Sequence, residues 1–352
     1  MTPGNAAPRK PGTGRAAFYC VSSRVYFLGA VGLINSLRLV GHREPIFLLD
    51  CGLTLAQRDL LAPHATVVPA PSDAQPYLLK TVAPLRHPAE VMVLVDADMI
   101  VTRPLTELVK KASSGDVVGF ENYLDRFVPE WGELLGLGRP RRQAYLSSGL
   151  VFLGGPLGAE ALRLVHECMA RAHFDFRLDV TGKARVATLE DPFWALDQDV
   201  LNAVLATRVA PHRICVLDNR LAPNPRFPGL RILDEETLRC SYEDGAEPYV
   251  LHHISPDKPW LAPTYHGVYS RLLARLLLGE DVAVRVPESE VPLRMRSGPR
   301  ARVARARVDV RDRLGWYLRD RLPESIMGRI DAFRRGRAAR TAAIPDRGRR
   351  EA

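Results

Sequence analysis

Along the first hundred positions, short runs of apolar residues alternate with stretches whose apolar positions recur at helical spacing. Residues 17–22 (AFYCVS), 45–49 (PIFLL), 65–68 and 91–95 (VMVLV) predict strands, and residues 27–40, 53–61 and 77–85 predict helices between them. Strands that are apolar throughout are buried on both faces. Their alternation with helices predicts an α/β domain with a mostly parallel sheet. In such sheets ligands bind beyond the carboxyl ends of the strands. After residue 101 the pattern loosens. Strands are expected at 117–120, 150–153 and 249–253, helices at 156–172, 196–207 and 261–278, and loops at 136–142 and 181–194.

The chain has 352 residues, 46% of them hydrophobic and 25% charged, enough to bury a substantial core and unlike a disordered or collagen-like composition. No apolar run approaches the ~18 residues of a membrane-spanning helix. The first 17 residues hold no apolar stretch of the secretory kind, so a cytoplasmic location is expected. The five cysteines are scattered with no C-x-x-C pair, against a zinc cage or disulfide framework and consistent with a reducing compartment.

Charge changes the picture only once it is divided. Residues 285–352 hold 19 Arg and no Lys against 9 acidic residues, whereas the preceding 284 hold 30 basic and 31 acidic. The net charge of +9 therefore belongs to a basic appendage on a nearly neutral body, and nucleic-acid binding by the whole protein is not expected. The expected organisation is a disordered lead-in (1–16), a body (17–284) and a basic tail (285–352).

Four segments carry candidate chemistry. Asp96-Ala97-Asp98 closes the strand VMVLV, where paired carboxylates suit Mn²⁺ or Mg²⁺ bridging a diphosphate; an Asx-type turn ending the strand reads the same tripeptide equally well. Tyr145-Leu146-Ser147-Ser148-Gly149 puts small residues at a strand start, where backbone can approach a sugar, or makes a plain loop-to-strand junction. Asp197-Gln198-Asp199-Val200-Leu201-Asn202 opens a helix, with Asp197, Gln198 and Asn202 near one another, or supplies an ordinary acidic helix start. His252, with Lys258-Pro259-Trp260 six residues later, offers an imidazole for a metal and a point charge for a phosphate, although a single strand-end His is commonly structural.

Together these segments resemble the retaining family-8 glycosyltransferases, the group that includes glycogenin and the bacterial lipopolysaccharide galactosyltransferases. That family orders a D-x-D after a buried strand, a Y-x-N-[SA]-G strand, a D-Q-D-x-L-N helix and a terminal H-x-x-G-x-x-K-P-W. All four occur here in order, and the resemblance, extended back to Cys20, covers about two-thirds of the sequence. It implies a GT-A fold (Rossmann-like, mostly parallel) and transfer from a nucleoside-diphosphate sugar, a UDP-sugar first, to a glycan, lipid-linked or small-molecule acceptor. It implies that Asp96, Asp98 and His252 hold Mn²⁺ or Mg²⁺ and that Lys258 meets the diphosphate. Ser22 and Tyr26 would contact the base. Lys80, Ala97, Ser147, Ser148 and Gly149 would line the nucleotide and sugar, and Asp197 and Gln198 the reacting face. Two positions depart from the pattern: the family's Asn is Ser147 and its Gly is Ser255, which puts the usual glucose or galactose donor in doubt. Segments 128–142 and 170–194, outside the shared motifs, are the expected acceptor surfaces.

Retention needs a covalent intermediate or same-face attack. An amide such as Gln198 is a poor nucleophile, so same-face attack is expected, with Asp197 the less favoured nucleophile. In the tail, Val303, Val310, Leu314, Trp316, Tyr317, Leu318 and Leu322 fall among arginines in a helix-like pattern over 301–322, weakened by Gly315, and a second segment follows Pro323. Such a helix suits the inner, anionic face of a membrane, as a peripheral contact; a helix packed on the body or a disordered tail are the alternatives. Two other readings stand beside the transferase. One is a dehalogenase-type phosphatase, whose D-x-D normally lies nearer the N-terminus. The other is a non-catalytic membrane- or polyanion-binding protein on a decayed transferase fold.

Overall fold

The structure is a computed structural model and describes residues 15–71, 76–172, 191–225, 227–255, 258–261 and 267–319. In chain order the elements are β1 (Ala16–Ser22), α1 (Phe27–Leu39), β2 (Ile46–Asp50), α2 (Leu55–Leu61), β3 (Thr66–Pro69), α3 (Val82–Arg86), β4 (Val91–Val95), β5 (Met99–Val101), α4 (Thr106–Ala112) and β6 (Val117–Glu121). There follow α5 (Trp131–Leu134), β7 (Leu146–Gly154), α6 (Gly155–Arg171), α7 (Asp197–Arg208), β8 (Ile214–Leu217), β9 (Arg231–Asp234), β10 (Arg239–Ser241), β11 (Val250–His252), α8 (Gly267–Leu278) and α9 (Pro299–Arg319).

Seven strands form one sheet in the order β3-β2-β1-β4-β7-β6-β8. Every pairing is parallel except those of β7, which runs antiparallel between β4 and β6. The α/β class and the mostly parallel sheet are as the sequence predicts. Strand β4 is buried along its whole length, and its residues divide between two cores. Val91, Val93 and Val95 join Phe18 and Phe152 under α1 and α8; Met92 and Leu94 join Tyr19, Val151 and Leu153 under α6 and α7. Apolar residues at every position of a strand are therefore what a sheet covered on both faces requires.

Beyond Val95 the chain turns through Asp96–Asp98 and enters β5, which leaves the large sheet and pairs antiparallel with β11. This small second sheet decides where the site forms, because its register sets His252 opposite Met99. Helix 77–85 is not continuous. A short 3-10 turn at Pro76–Leu79 is followed by a break at Lys80 and Thr81, and α3 starts at Val82. Pro84 is the physical reason: with no N–H and a ring that clashes one turn back, it is tolerated only in a helix's first turn, which restarts the helix at 82. The expected helix at 261–278 is described from Gly267.

Residues 285–298 cross the body and bury Val291 and Met295 in the core. Helix α9 then runs through Gly315, burying Ala301 and Val308 while Val303 and Val310 face outward. The expected lead-in up to residue 14, the 173–190 part of the expected loop and acceptor surface, and the tail beyond 319 lie outside the described residues. Among the described residues no helix is long and apolar enough to cross a membrane.

Candidate active site

Backbone hydrogen bonds build the site before any side chain does. The Asp96 N–H donates to the Gly149 carbonyl at 2.9 Å, carrying the β4–β7 ladder one residue past the strand, and the Met99 N–H closes the turn on the Asp96 carbonyl at 3.2 Å. From the other side, the His253 N–H donates to the Asp98 carbonyl at 3.0 Å, and the Tyr269 hydroxyl donates to the same oxygen at 2.9 Å. The Asp-Ala-Asp turn is thus clamped between the carboxyl ends of the parallel strands and β11.

Two glycines let the pieces approach. A Cβ on Gly29 of α1 would lie 2.5 Å from the Ala97 carbonyl oxygen and 2.7 Å from the Trp260 ring. A Cβ on Gly149 would lie 2.5 Å from the Cε1 of His252. Trp260 donates its indole N–H to the Val25 carbonyl at 2.8 Å and meets the Tyr26 ring edge-on, and Lys258 Nζ sits 5.6 Å from the centre of that ring.

Each carboxylate divides its two oxygens. Asp96 Oδ1 pairs with Lys80 Nζ at 2.7 Å, and its Oδ2 lies 3.7 Å from His252 Nε2. Asp98 Oδ2 pairs with Lys258 Nζ at 2.5 Å, and its Oδ1 lies 3.4 Å from the same imidazole nitrogen. Ligand atoms of Asp96, Asp98 and His252 all fall within 4.8 Å of one another. Asp98 Oδ1 is buried and makes no hydrogen bond. Two hard oxygens and an imidazole, one oxygen buried without a donor, form a set suited to Mn²⁺ or Mg²⁺.

The charges are set against burial. Burial alone would push the Asp98 carboxyl up, yet His252 and Lys258 hold it well below the usual carboxylate range. Burial dominates at Asp96, which lies above that range despite Lys80. Burial would lower Lys80, but Asp197 and Asp96 raise it above an ordinary lysine. Burial also pushes the Tyr26 phenol up to about 12, with Asp98 and Asp96 adding to it.

Lys80 links the two halves, since its Nζ also lies 2.9 Å from Asp197 Oδ2 and 3.5 Å from Ser148 Oγ. Gln198 Oε1 accepts from the Ser148 N–H at 3.1 Å and from Asn122 Nδ2 at 3.4 Å. The structure thus brings together Tyr26, Lys80, Asp96, Ala97, Asp98, Ser148, Gly149, Asp197, Gln198, His252 and Lys258. Ser147 keeps to its own strand, its Oγ accepting from the Gly149 N–H at 3.4 Å. Ser22 is buried at the end of β1, with its hydroxyl 3.4 Å from the Ser23 carbonyl.

Asn202 is not on the site face. It hydrogen-bonds the Leu146 backbone and the Gln198 carbonyl, so it braces α7 against β7. Asn122, Arg126 and Tyr269 escaped the sequence reading. For Asn122 a signal existed, because it directly follows the buried strand β6, as Asp96 follows β4.

No family model and no curated protein sequence matches this chain. Solved structures resemble it at low identity. The galactosyltransferase LgtC, in complex with donor and acceptor sugar analogues, is 13% identical with a TM-score of 0.47, over 78% of this chain and 98% of that one. The bifunctional glycosyltransferase WbbM is 14% identical with a TM-score of 0.48, over 77% of this chain and 51% of that one. The glycosyltransferase GlyE of Streptococcus pneumoniae TIGR4 is 14% identical with a TM-score of 0.44, over 70% and 56%.

Proposed function

We propose that this chain is a retaining glycosyltransferase of the family-8 type on a GT-A fold, moving a sugar from a nucleoside-diphosphate sugar, a UDP-sugar first, to a glycan, lipid-linked or small-molecule acceptor. The observation that carries this reading is the convergence of Asp96, Asp98 and His252 within 4.8 Å at the carboxyl ends of the strands, with Lys80 and Lys258 on the same two carboxylates.

In this reading Asp96, Asp98 and His252 hold Mn²⁺ or Mg²⁺, which supplies fixed positive charge beside the departing diphosphate. Lys258 meets that diphosphate and takes up part of its growing charge in a buried setting, where a fixed cation stabilises the transition state more than water does. Ser22 and Tyr26 border the base, and Ser147, Ser148 and Gly149 line the sugar. Asp197 and Gln198 face the reacting carbon. The bond from that carbon to the phosphate oxygen breaks as the bond to the acceptor oxygen forms on the same face, and the acceptor proton passes to the leaving phosphate oxygen. Segments 128–142 and 170–194 offer the acceptor surface. In the tail, Val303 and Val310 face outward beside exposed Arg300, Arg302 and Arg307, which supports a peripheral contact with an anionic membrane face.

The test is a thermal-shift series of nucleoside diphosphates and their sugars with and without Mn²⁺, because a ligand of the native state raises the melting temperature by mass action. Stabilisation by UDP only with Mn²⁺ supports the reading, and the UDP-sugar of largest effect names the donor. No shift with any nucleotide overturns it in favour of a non-catalytic polyanion-binding protein.

A further inference from the structure

Helix α7 starts under backbone strain. Leu196, the residue before Asp197, has φ 54° and ψ −121°, a region that side-chain-bearing residues seldom adopt. Strain of this kind persists only where the surroundings over-determine it, and here they do. The carboxylate of Asp199, fully buried, accepts the Ala195 N–H on Oδ2 at 2.7 Å, just before the strained residue. Its Oδ1 accepts from Arg126 Nε at 2.8 Å and from the Tyr145 hydroxyl at 2.7 Å.

Arg126 is itself buried, and its second arm donates to the Asp191 carbonyl. Trp131 stacks on Tyr145 and donates its indole N–H to the Pro192 carbonyl at 2.6 Å. The Arg126–Asp199 pair therefore ties three segments together: the loop after β6, the stretch entering α7, and Tyr145 just before β7. These are the elements that carry Asn122, Asp197 with Gln198, and Ser148.

We propose that Arg126 is a positioning residue, acting through Asp199 on the Leu196 backbone to fix how Asp197 and Gln198 face Ser148 and Lys80. This rests on the transferase reading. A buried carboxylate–guanidinium pair is poorly explained as a stability device, since apolar residues of similar volume serve as well or better. It does fix direction: a guanidinium holds its N–H donors in one rigid plane, here aimed at Asp199 and at the Asp191 carbonyl. The same arrangement commits both oxygens of Asp199 to hydrogen bonds and takes that acid out of contention as a nucleophile.

The experiment compares the full-length protein with the paired variant Arg126→Gln/Asp199→Asn, which removes both buried charges and keeps groups able to hydrogen-bond. Three quantities are read: UDP affinity with Mn²⁺ by thermal shift, UDP release from the UDP-sugar that stabilises the parent most, and amide hydrogen exchange over residues 195–200. The expected result is UDP affinity within about twofold of the parent, kcat for UDP release lower by tenfold or more with KM little changed, and faster exchange at 195–200. Arg126→Lys, with the charge but not the two-way geometry, should recover only part of kcat. Unchanged kcat, or unchanged exchange, overturns the proposal. A parent protein that binds no nucleotide overturns the transferase reading instead, and unchanged exchange in the variant would still refute the clamp. If the paired variant does not fold, Tyr145→Phe removes one donor to Asp199 and is expected to lower kcat several-fold; no change in kcat or exchange there overturns the proposal as well.

Discussion

Asn202 pairs with Leu146 as a neighbouring strand would. Its side-chain oxygen accepts the Leu146 N–H at 2.8 Å, and its side-chain nitrogen donates to the Leu146 carbonyl at 2.8 Å. A helix side chain thereby replaces a missing strand at the start of β7, immediately before the serines of the site. Asn202→Ala leaves both backbone groups buried and unpaired, which costs on the order of 2–4 kcal/mol. Denaturant unfolding should show that loss; a variant as stable as the parent would mean that water satisfies Leu146 equally well.

The two carboxylates of the turn should respond differently to neutralisation. Asp96→Asn leaves Lys80 its partner Asp197 at 2.9 Å, so the fold should stay close to parental stability while Mn²⁺ loses its stabilising effect. Asp98→Asn also loses the Mn²⁺ effect, but it strands Lys258, which is 2% exposed, and breaking such a buried pair costs about 3 kcal/mol. Melting temperatures of both variants with and without Mn²⁺ check this, and equal behaviour of the two would contradict the division of partners described above.

Gly149→Ala tests the tight contact beneath His252. The added methyl would meet the imidazole Cε1 at 2.5 Å and push the ring from its place against Asp96 and Asp98. Displacing a ligand's support typically costs 10-fold or more in metal affinity. Mn²⁺ titration should show about that loss with secondary structure intact by circular dichroism.

Acid sensitivity has a source far from the site. His42, buried between β1 and α4, accepts the Leu105 N–H on Nε2 at 2.8 Å and hydrogen-bonds Glu44 through Nδ1 at 3.0 Å. That hydrogen bond from His42, working against burial, lowers the Glu44 carboxyl from 4.5 to about 2. A carboxyl held below its unfolded value contributes stability above pH 4.5 and loses it as pH falls toward 2. The stability difference between the parent and Glu44→Gln should therefore be largest above pH 5 and shrink steadily toward pH 2. A difference independent of pH would remove Glu44 from the account.

What the sequence made legible follows from how local each signal is. The run 91–95 announced a strand buried on both faces, and the acids after it stand at the strand end as expected. Spacing also placed Asp197 and Gln198 at a helix start. Strands β5 and β11 were harder to foresee as a pair: each has three residues, and they meet across about 150 positions of chain. Arg126 carried no local signal at all, because its meaning lies in a partner 73 residues away. The break at Lys80 was hidden by an apolar pattern that continues across it; Pro84 was the available warning. In the tail, Ala301 and Val308 rather than Val303 and Val310 turned out to face the body, a choice that helical periodicity alone leaves open.

The order in which the pieces occur along the chain has a consequence for synthesis. The seven-stranded sheet is complete once Leu217 has been made, with Asp96 and Asp98 already beyond the carboxyl end of its central strand β4. Their imidazole and their lysine arrive only with residues 252–258, and Trp260 reaches back to Val25, 235 residues earlier. A polypeptide cut short after the seventh strand would carry Asp96 and Asp98 without the imidazole and the lysine that meet them, and without α8, which covers one face of β4.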